Sequence, residues 1–370
     1  HIRIAFTEIF CQKFSEAMLF PRLPLPAGVG QRRRHPSLIP SPCAGQSALY
    51  TSAGRQNRAK RKIRLPSETG NGPAASAPHG NENTKDMPPI KIYKFGGASV
   101  RSAEGVENLA RIVAAEPARL LVIVSAMGKT TNALEEVLDR FMRNRSEEAI
   151  ERFAEIERYH RQIVRSLFAD PSSVEARTEK LASEVRELLR SETCREDYDR
   201  WYDRIVSYGE LLSTVIVSEY LAAQGTPNRW LDMRGLFVTD SRYREATINV
   251  DRSARALRRA VDAAPERVLV GQGFIGATPA GRPTTLGREG SDYSAAMAGY
   301  LLDAGSVTIW KDVDGILSAD PRLFADTMLI PELSYLDAIE LAYAGAQVIH
   351  PKTIKPLQNK NIPLYVRPFG

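Results

Sequence analysis

The chain of 370 residues is 43% hydrophobic and 25% charged, ordinary globular proportions with room for one large domain or two small ones. No run approaches the ~20 consecutive apolar residues of a membrane span, and the three cysteines, Cys11, Cys43 and Cys194, offer neither a disulfide framework nor zinc spacing. The formal charge of +6 is unevenly placed: residues 1–86 hold 13 Lys and Arg against 5 Asp and Glu, leaving 37 against 39 for the rest. The body is therefore not basic, which argues against a nucleic-acid-binding body.

Residues 1–86 read as a disordered basic arm. Nine prolines, seven glycines, the cluster Arg32-Arg33-Arg34 and the basic run from Arg58 to Arg64 leave no helical or strand period. Such a segment buries too little apolar surface to offset its chain entropy. An organelle transit peptide and a nucleic-acid-binding tail compete with that reading. A secretory signal fails, because Glu16, Pro21 and Arg22 break the apolar pieces around Met18 to Phe20. The chain begins with His, and Met87 stands just before the first convincing strand, so translated upstream sequence is the favoured account.

From Ile90 the pattern alternates. Ile90–Phe95 reads as a strand, Gly96-Gly97 as a turn, and Ser102–Ala114 as a helix. Leu120–Ser125 is a continuous apolar run, the mark of a strand buried on both faces. Residues 132–220 read as mostly helical. Val268–Val270, Val307–Trp310 and Ile362–Val366 follow as further strands. Strands alternating with helices predict an α/β fold, a mainly parallel central sheet covered on both faces.

Two motifs mislead. Gly128-Lys129-Thr130-Thr131 lacks the glycine five residues upstream that a P-loop needs; Ile123 occupies that place. Gly271-Gln-Gly-Phe-Ile-Gly276 matches a dinucleotide fingerprint, but Pro279, Gly281 and Pro283 forbid the helix that must follow.

Four other segments carry charged groups beside small ones. Lys94-Phe-Gly96-Gly97-Ala-Ser99 sets a lysine and flexible backbone amides where a polyphosphate could lie. Ser125-Ala-Met-Gly-Lys-Thr-Thr131-Asn132 follows the next strand. Ser207-Tyr-Gly-Glu210-Leu-Leu-Ser213 places one glutamate in an apolar helix. Thr284-Thr-Leu-Gly-Arg288-Glu-Gly-Ser-Asp292 runs into a helix at Tyr293 that Ser291 and Asp292 can cap. Each alone has a bland explanation: a solvated lysine, a surface glutamate or a partner for Arg204, a charge at a helix start. Together they outrun turn chemistry.

Lys94-Phe-Gly-Gly-Ala-Ser-Val, Gly209-Glu210-Leu-Leu-Ser and Leu286-Gly-Arg-Glu-Gly-Ser-Asp-Tyr resemble the signatures of the aspartate kinases, within the amino acid kinase superfamily. Trp310-Lys-Asp-Val-Asp-Gly-Ile-Leu-Ser-Ala-Asp-Pro-Arg322 is similar to that family's nucleotide segment, and Gly345-Ala-Gln-Val-Ile-His-Pro351 to the motif after it. The resemblance runs from about Ile90 to the end. It implies an αβα sandwich over residues 87–370 that transfers the γ-phosphoryl group of ATP to the side-chain carboxylate of L-aspartate.

The resemblance also implies the site. Lys94 would neutralise charge on the transferring group, with Asp292 holding it, and Gly96 and Gly97 would let the backbone approach the phosphates. Arg288 would clamp the substrate α-carboxylate and Glu210 would take its ammonium, with Ser125 and Thr131 lining the pocket. Asp312 and Arg322 match nucleotide positions, and Lys311, Leu317 and Gln347 occupy others. Three of these depart from the family: Lys311 replaces a common threonine, Leu317 a tyrosine and Gln347 a lysine, although Lys352 lies one helical turn onward. Mg2+ would be held by ATP oxygens, with no protein ligand. Rivals within the superfamily act on glutamate, acetylglutamate, carbamate or UMP; the rival from another class binds nucleic acid through the arm. The resemblance further implies homo-oligomers weakened without ACT regulatory domains, no room for a fused homoserine dehydrogenase, no feedback by lysine or threonine, and a cytoplasmic location unless the arm is a genuine transit peptide.

Overall fold

The computed structural model describes residues 2–3, 89–191, 197–313, 315–319, 323–324, 326–344 and 349–370. In chain order the strands and helices are β1 (Ile2–Arg3), β2 (Lys91–Phe95), α1 (Ala103–Ala115), β3 (Leu120–Val124), α2 (Thr130–Met142), α3 (Ser146–Leu167), α4 (Ser172–Arg190), α5 (Tyr198–Val206), α6 (Tyr208–Ala223) and β4 (Asn228–Leu231). They continue with α7 (Val250–Asp262), β5 (Val268–Gln272), β6 (Ile275–Ala277), β7 (Pro283–Thr285), α8 (Gly290–Leu302), β8 (Ser306–Lys311), β9 (Glu332–Leu333), α9 (Tyr335–Tyr343), α10 (Pro351–Asn359) and β10 (Leu364–Pro368).

Six strands form one parallel sheet in the order β10-β8-β2-β3-β5-β4. Strand alternation decides which layer each side chain joins. Ile92, Leu121, Ile123, Leu269 and Ile309 face one core, shared with α7, α8 and α10. Tyr93, Phe95, Val122, Val124 and Val270 face the other, shared with α1 and α6. Both faces are covered, which is why β3 reads as an unbroken apolar run. A third core joins α2, α3, α4 and α5 through Leu134, Phe141, Phe153, Val185 and Trp201.

The helical stretch Tyr198–Ala223 is long and apolar enough to cross a membrane, yet 89% of its apolar window is buried inside the protein. It is a core element. Its Ser207-Tyr208 junction lets α5 pack in the helical layer while α6 lies under the sheet.

Several expectations shift. Strand β4 has no apolar run to announce it, because an edge strand half open to solvent needs none. The last strand is Leu364–Pro368 rather than Ile362–Val366, since Ile362 N–H still bonds Leu357 O at the end of α10. Helix α8 starts at Gly290, three residues before Tyr293, so neither Ser291 nor Asp292 is its cap; Glu289 precedes it in the left-handed conformation at φ 55°. The Gly271–Gly276 segment opens no helix and instead leads into the β6–β7 hairpin. Of the basic arm, the backbone of Ile2–Arg3 pairs antiparallel with Glu332–Leu333; the rest of residues 1–86 lies outside the described residues.

Candidate active site

Because all six strands run parallel, their C-terminal ends share one edge, where open α/β sheets build their clefts. The loops after β2 and β3 touch there through a 2.9 Å bond from Gly128 N–H to Gly97 O. A Cβ on Gly97 would stand 2.6 Å from Ala126 O, so the close approach requires glycine. A cavity of about 400 Å³ opens at this edge. Its walls include Lys94, Gly97, Ser125, Thr131, Glu210, Arg288 and Asp292, brought together from four separate segments.

Two lysines and two carboxylates form an ion-pair cluster at the cavity. Lys94 Nζ lies 2.6 Å from Asp292 Oδ1, with side-chain exposures of 8% and 2%. Lys311 Nζ approaches the other oxygen at 3.2 Å, and Glu289 Oε2 at 3.9 Å. Register explains the convergence. Lys94 pairs with Ile309 across β2 and β8, so Lys311, two residues on, points to the same face of the sheet. Asp292 meets both from the first turn of α8. Burial opposes its ionisation, but the two ammonium groups outweigh that cost and hold it down at about 2.

Glu210 lines the same cavity from the first turn of α6 and is 3% exposed. Its Oε1 accepts the Ala126 N–H at 3.3 Å, and Oε2 has no hydrogen-bond partner in the structure. It does not pair with Arg204. Burial pushes Glu210 up to about 8, only partly countered by the Ala126 bond. Arg288 stands exposed on the same wall. Ser125 follows β3, and its carbonyl accepts the Ser213 hydroxyl at 2.7 Å.

The nucleotide positions are less gathered. Gly97 lines the cavity and Gly96 precedes it in the loop after β2; Asp312 is exposed beyond β8, and Leu317 bridges Leu329. Arg322 and Gln347 lie outside the described residues. Lys352 reaches the cavity loop differently, donating to Leu286 O at 2.8 Å with its ammonium 4.5 Å from the Tyr293 ring.

Sequence reasoning missed Tyr202, Asp203, Arg244, Phe274 and Glu289. Four of them line the cavity. Asp203 lies behind it, fully buried, accepting Thr285 N–H at 2.9 Å, the Thr285 hydroxyl at 2.6 Å and Arg244 N–H at 3.0 and 3.1 Å. Burial raises Asp203 to about 6 despite these donors. Its one signal in the sequence is an aspartate between Trp201, Tyr202, Ile205 and Val206 on the apolar side of α5.

Against known proteins, residues 89–368 match the Amino acid kinase family. Lysine-sensitive aspartokinase 3 of Escherichia coli is 34% identical over 288 residues, covering 76% of this chain and 62% of the relative. Aspartokinase 1, chloroplastic, of Arabidopsis thaliana is 36% identical over 286 residues, covering 75% and 49%. The chain spans only 30% of the bifunctional aspartokinase/homoserine dehydrogenase 1, chloroplastic, of Zea mays, at 34% identity over 75% of its own length. The crystal structure of E. coli aspartokinase III with aspartate and ADP superposes with a TM-score of 0.66 at 31% identity, covering 76% of this chain and 62% of that one.

Proposed function

The chain belongs to the amino acid kinase family, and on that premise we propose that it transfers the γ-phosphoryl group of ATP to the side-chain carboxylate of L-aspartate. One observation carries this reading: a buried carboxylate held between two lysines lines the same cavity as a buried glutamate with an unpartnered oxygen. The E. coli relative was crystallised with aspartate and ADP, which supports the same pair of ligands.

Phosphoryl transfer needs mainly positioning and charge stabilisation. A carboxylate oxygen of aspartate attacks the γ-phosphorus, the bond to the bridging oxygen breaks, and ADP leaves with the electron pair. No proton needs removal, because the acceptor carboxylate is already ionised at neutral pH. In this reading Lys94 and Lys311 offset the charge of the transferring group, and Asp292 keeps their ammonium groups in place. Glu210 takes the substrate ammonium on its open oxygen, and Arg288 takes the α-carboxylate through its planar fork. Mg2+ in this reading is carried mainly on the ATP phosphates. Residues 87–370 are the catalytic part in this reading, cytoplasmic unless the arm directs the chain to an organelle.

Acyl phosphate formation, trapped with hydroxylamine, tests the proposal with aspartate and glutamate side by side. Hydroxamate from aspartate is the expected product. Product from glutamate alone would sink the assignment.

A further inference from the structure

Arg244 lines the cavity in a backbone conformation that its residue type disfavours. Its φ is 67°, in the left-handed region that glycine and asparagine enter readily and arginine rarely does. Strain of this kind persists only where the surroundings enforce it, and it gathers at functional sites. Here the enforcing group is Asp203, whose two oxygens both accept the Arg244 N–H.

The same carboxylate accepts the N–H and hydroxyl of Thr285, three residues before Arg288. Asp203 therefore ties the Arg244 turn to the segment that carries Arg288. The two backbones are in contact: a Cβ on Gly287 would lie 3.1 Å from Arg244 O. Two arginines thus enter one cavity from adjoining loops locked by one buried aspartate.

The Arg244 side chain is braced as well. Its guanidinium lies 4.5 Å from the centroid of the Tyr202 ring, another cavity wall, and 5.9 Å from that of Tyr198. Stacking on an aromatic face leaves the edges of the planar fork available for hydrogen bonds. Nη1 sits 3.3 Å from Asp199 Oδ1, a pair about half exposed that an incoming carboxylate can displace. A surface arginine that only covers tyrosines gains nothing from a left-handed backbone; one that must be aimed into a cavity does.

We infer that Arg244 is a second guanidinium for the α-carboxylate of the amino-acid substrate, acting beside Arg288 and determining specificity for a free α-carboxylate. The inference rests on the aspartate reaction proposed above, and Asp203 serves it as a positioning residue.

The test uses the full chain and the variants Arg244→Gly and Arg244→Asn, both of which accept the left-handed backbone, with L-aspartate and its α-amide as acceptors. Both variants should raise the aspartate KM at least tenfold and leave the ATP KM within twofold. They should also shrink the preference for aspartate over the α-amide by a similar factor. An aspartate KM within twofold of wild type, or an unchanged preference, in a folded variant would overturn the role of Arg244. A thermal-shift titration of wild type with aspartate keeps the two readings separate: no shift and no product would overturn the aspartate reaction itself.

Discussion

The ammonium of Lys94 and the carboxylate of Asp292 meet at 2.6 Å with both side chains almost wholly buried. A pair so enclosed is costly to desolvate and adds little net stability against an apolar alternative. Its worth lies in a fixed positive charge at the cavity. Lys94→Met should lower turnover by about a thousandfold while ATP affinity changes only a few-fold, because the charge is needed mainly in the transition state. Steady-state kinetics beside nucleotide titration decide this; turnover within a few-fold of wild type would remove Lys94 from the reaction.

Lys311 shares Asp292 from the opposite side, 3.2 Å from Oδ2. Lys311→Thr should leave the Lys94 pair standing and lower turnover by roughly tenfold, with the aspartate KM unchanged. An effect on aspartate KM alone would place Lys311 outside the phosphate site.

Glu210 predicts a pH dependence with a definite sign. Its value rises from 4.5 to about 8 on folding, so the folded state without ligand favours the neutral acid. Its contribution to stability is complete below pH 4.5 and is lost as pH climbs toward 8, at up to about 1.4 kcal/mol per pH unit. Glu210→Gln should flatten that slope, read as the wild-type-minus-variant difference in denaturant midpoints between pH 5 and 8. An ammonium bound at Oε2 reverses the preference. Aspartate binding at pH 7 should therefore release close to one proton, measurable by calorimetry in buffers of different ionisation enthalpy. Equal heats across the buffers would contradict this.

Asp203→Ala should destabilise the fold by roughly 3 kcal/mol, since the Arg244 and Thr285 N–H groups lose their buried acceptor. Asn should rescue only in part, because the Arg244 N–H is shared between Oδ1 and Oδ2 and an amide nitrogen in place of Oδ1 would turn a donor toward it. Urea denaturation of the two variants checks the claim; an Asn variant as stable as wild type would refute it.

Much of this architecture was legible in the residues themselves. The apolar run Leu120–Ser125 announced a strand covered on both faces, and the alternation of strands with helices announced a mainly parallel sheet. The glycine-flanked segments drew attention to Lys94, Glu210, Arg288 and Asp292, because they set charged groups beside small residues. Proximity was not legible. That Lys311 reaches Asp292 follows from the register of β8 against β2, which sequence spacing does not encode. Whether Glu210 is charged depends on how completely Ala126 and its neighbours exclude water, a property of packing alone. Asp203 and Arg244 stayed hidden for the same reason. An aspartate within an apolar helix face and an arginine in a turn acquire meaning only when folding sets one carboxylate against two loops, and local propensity carries no information about partners 41 and 82 residues away.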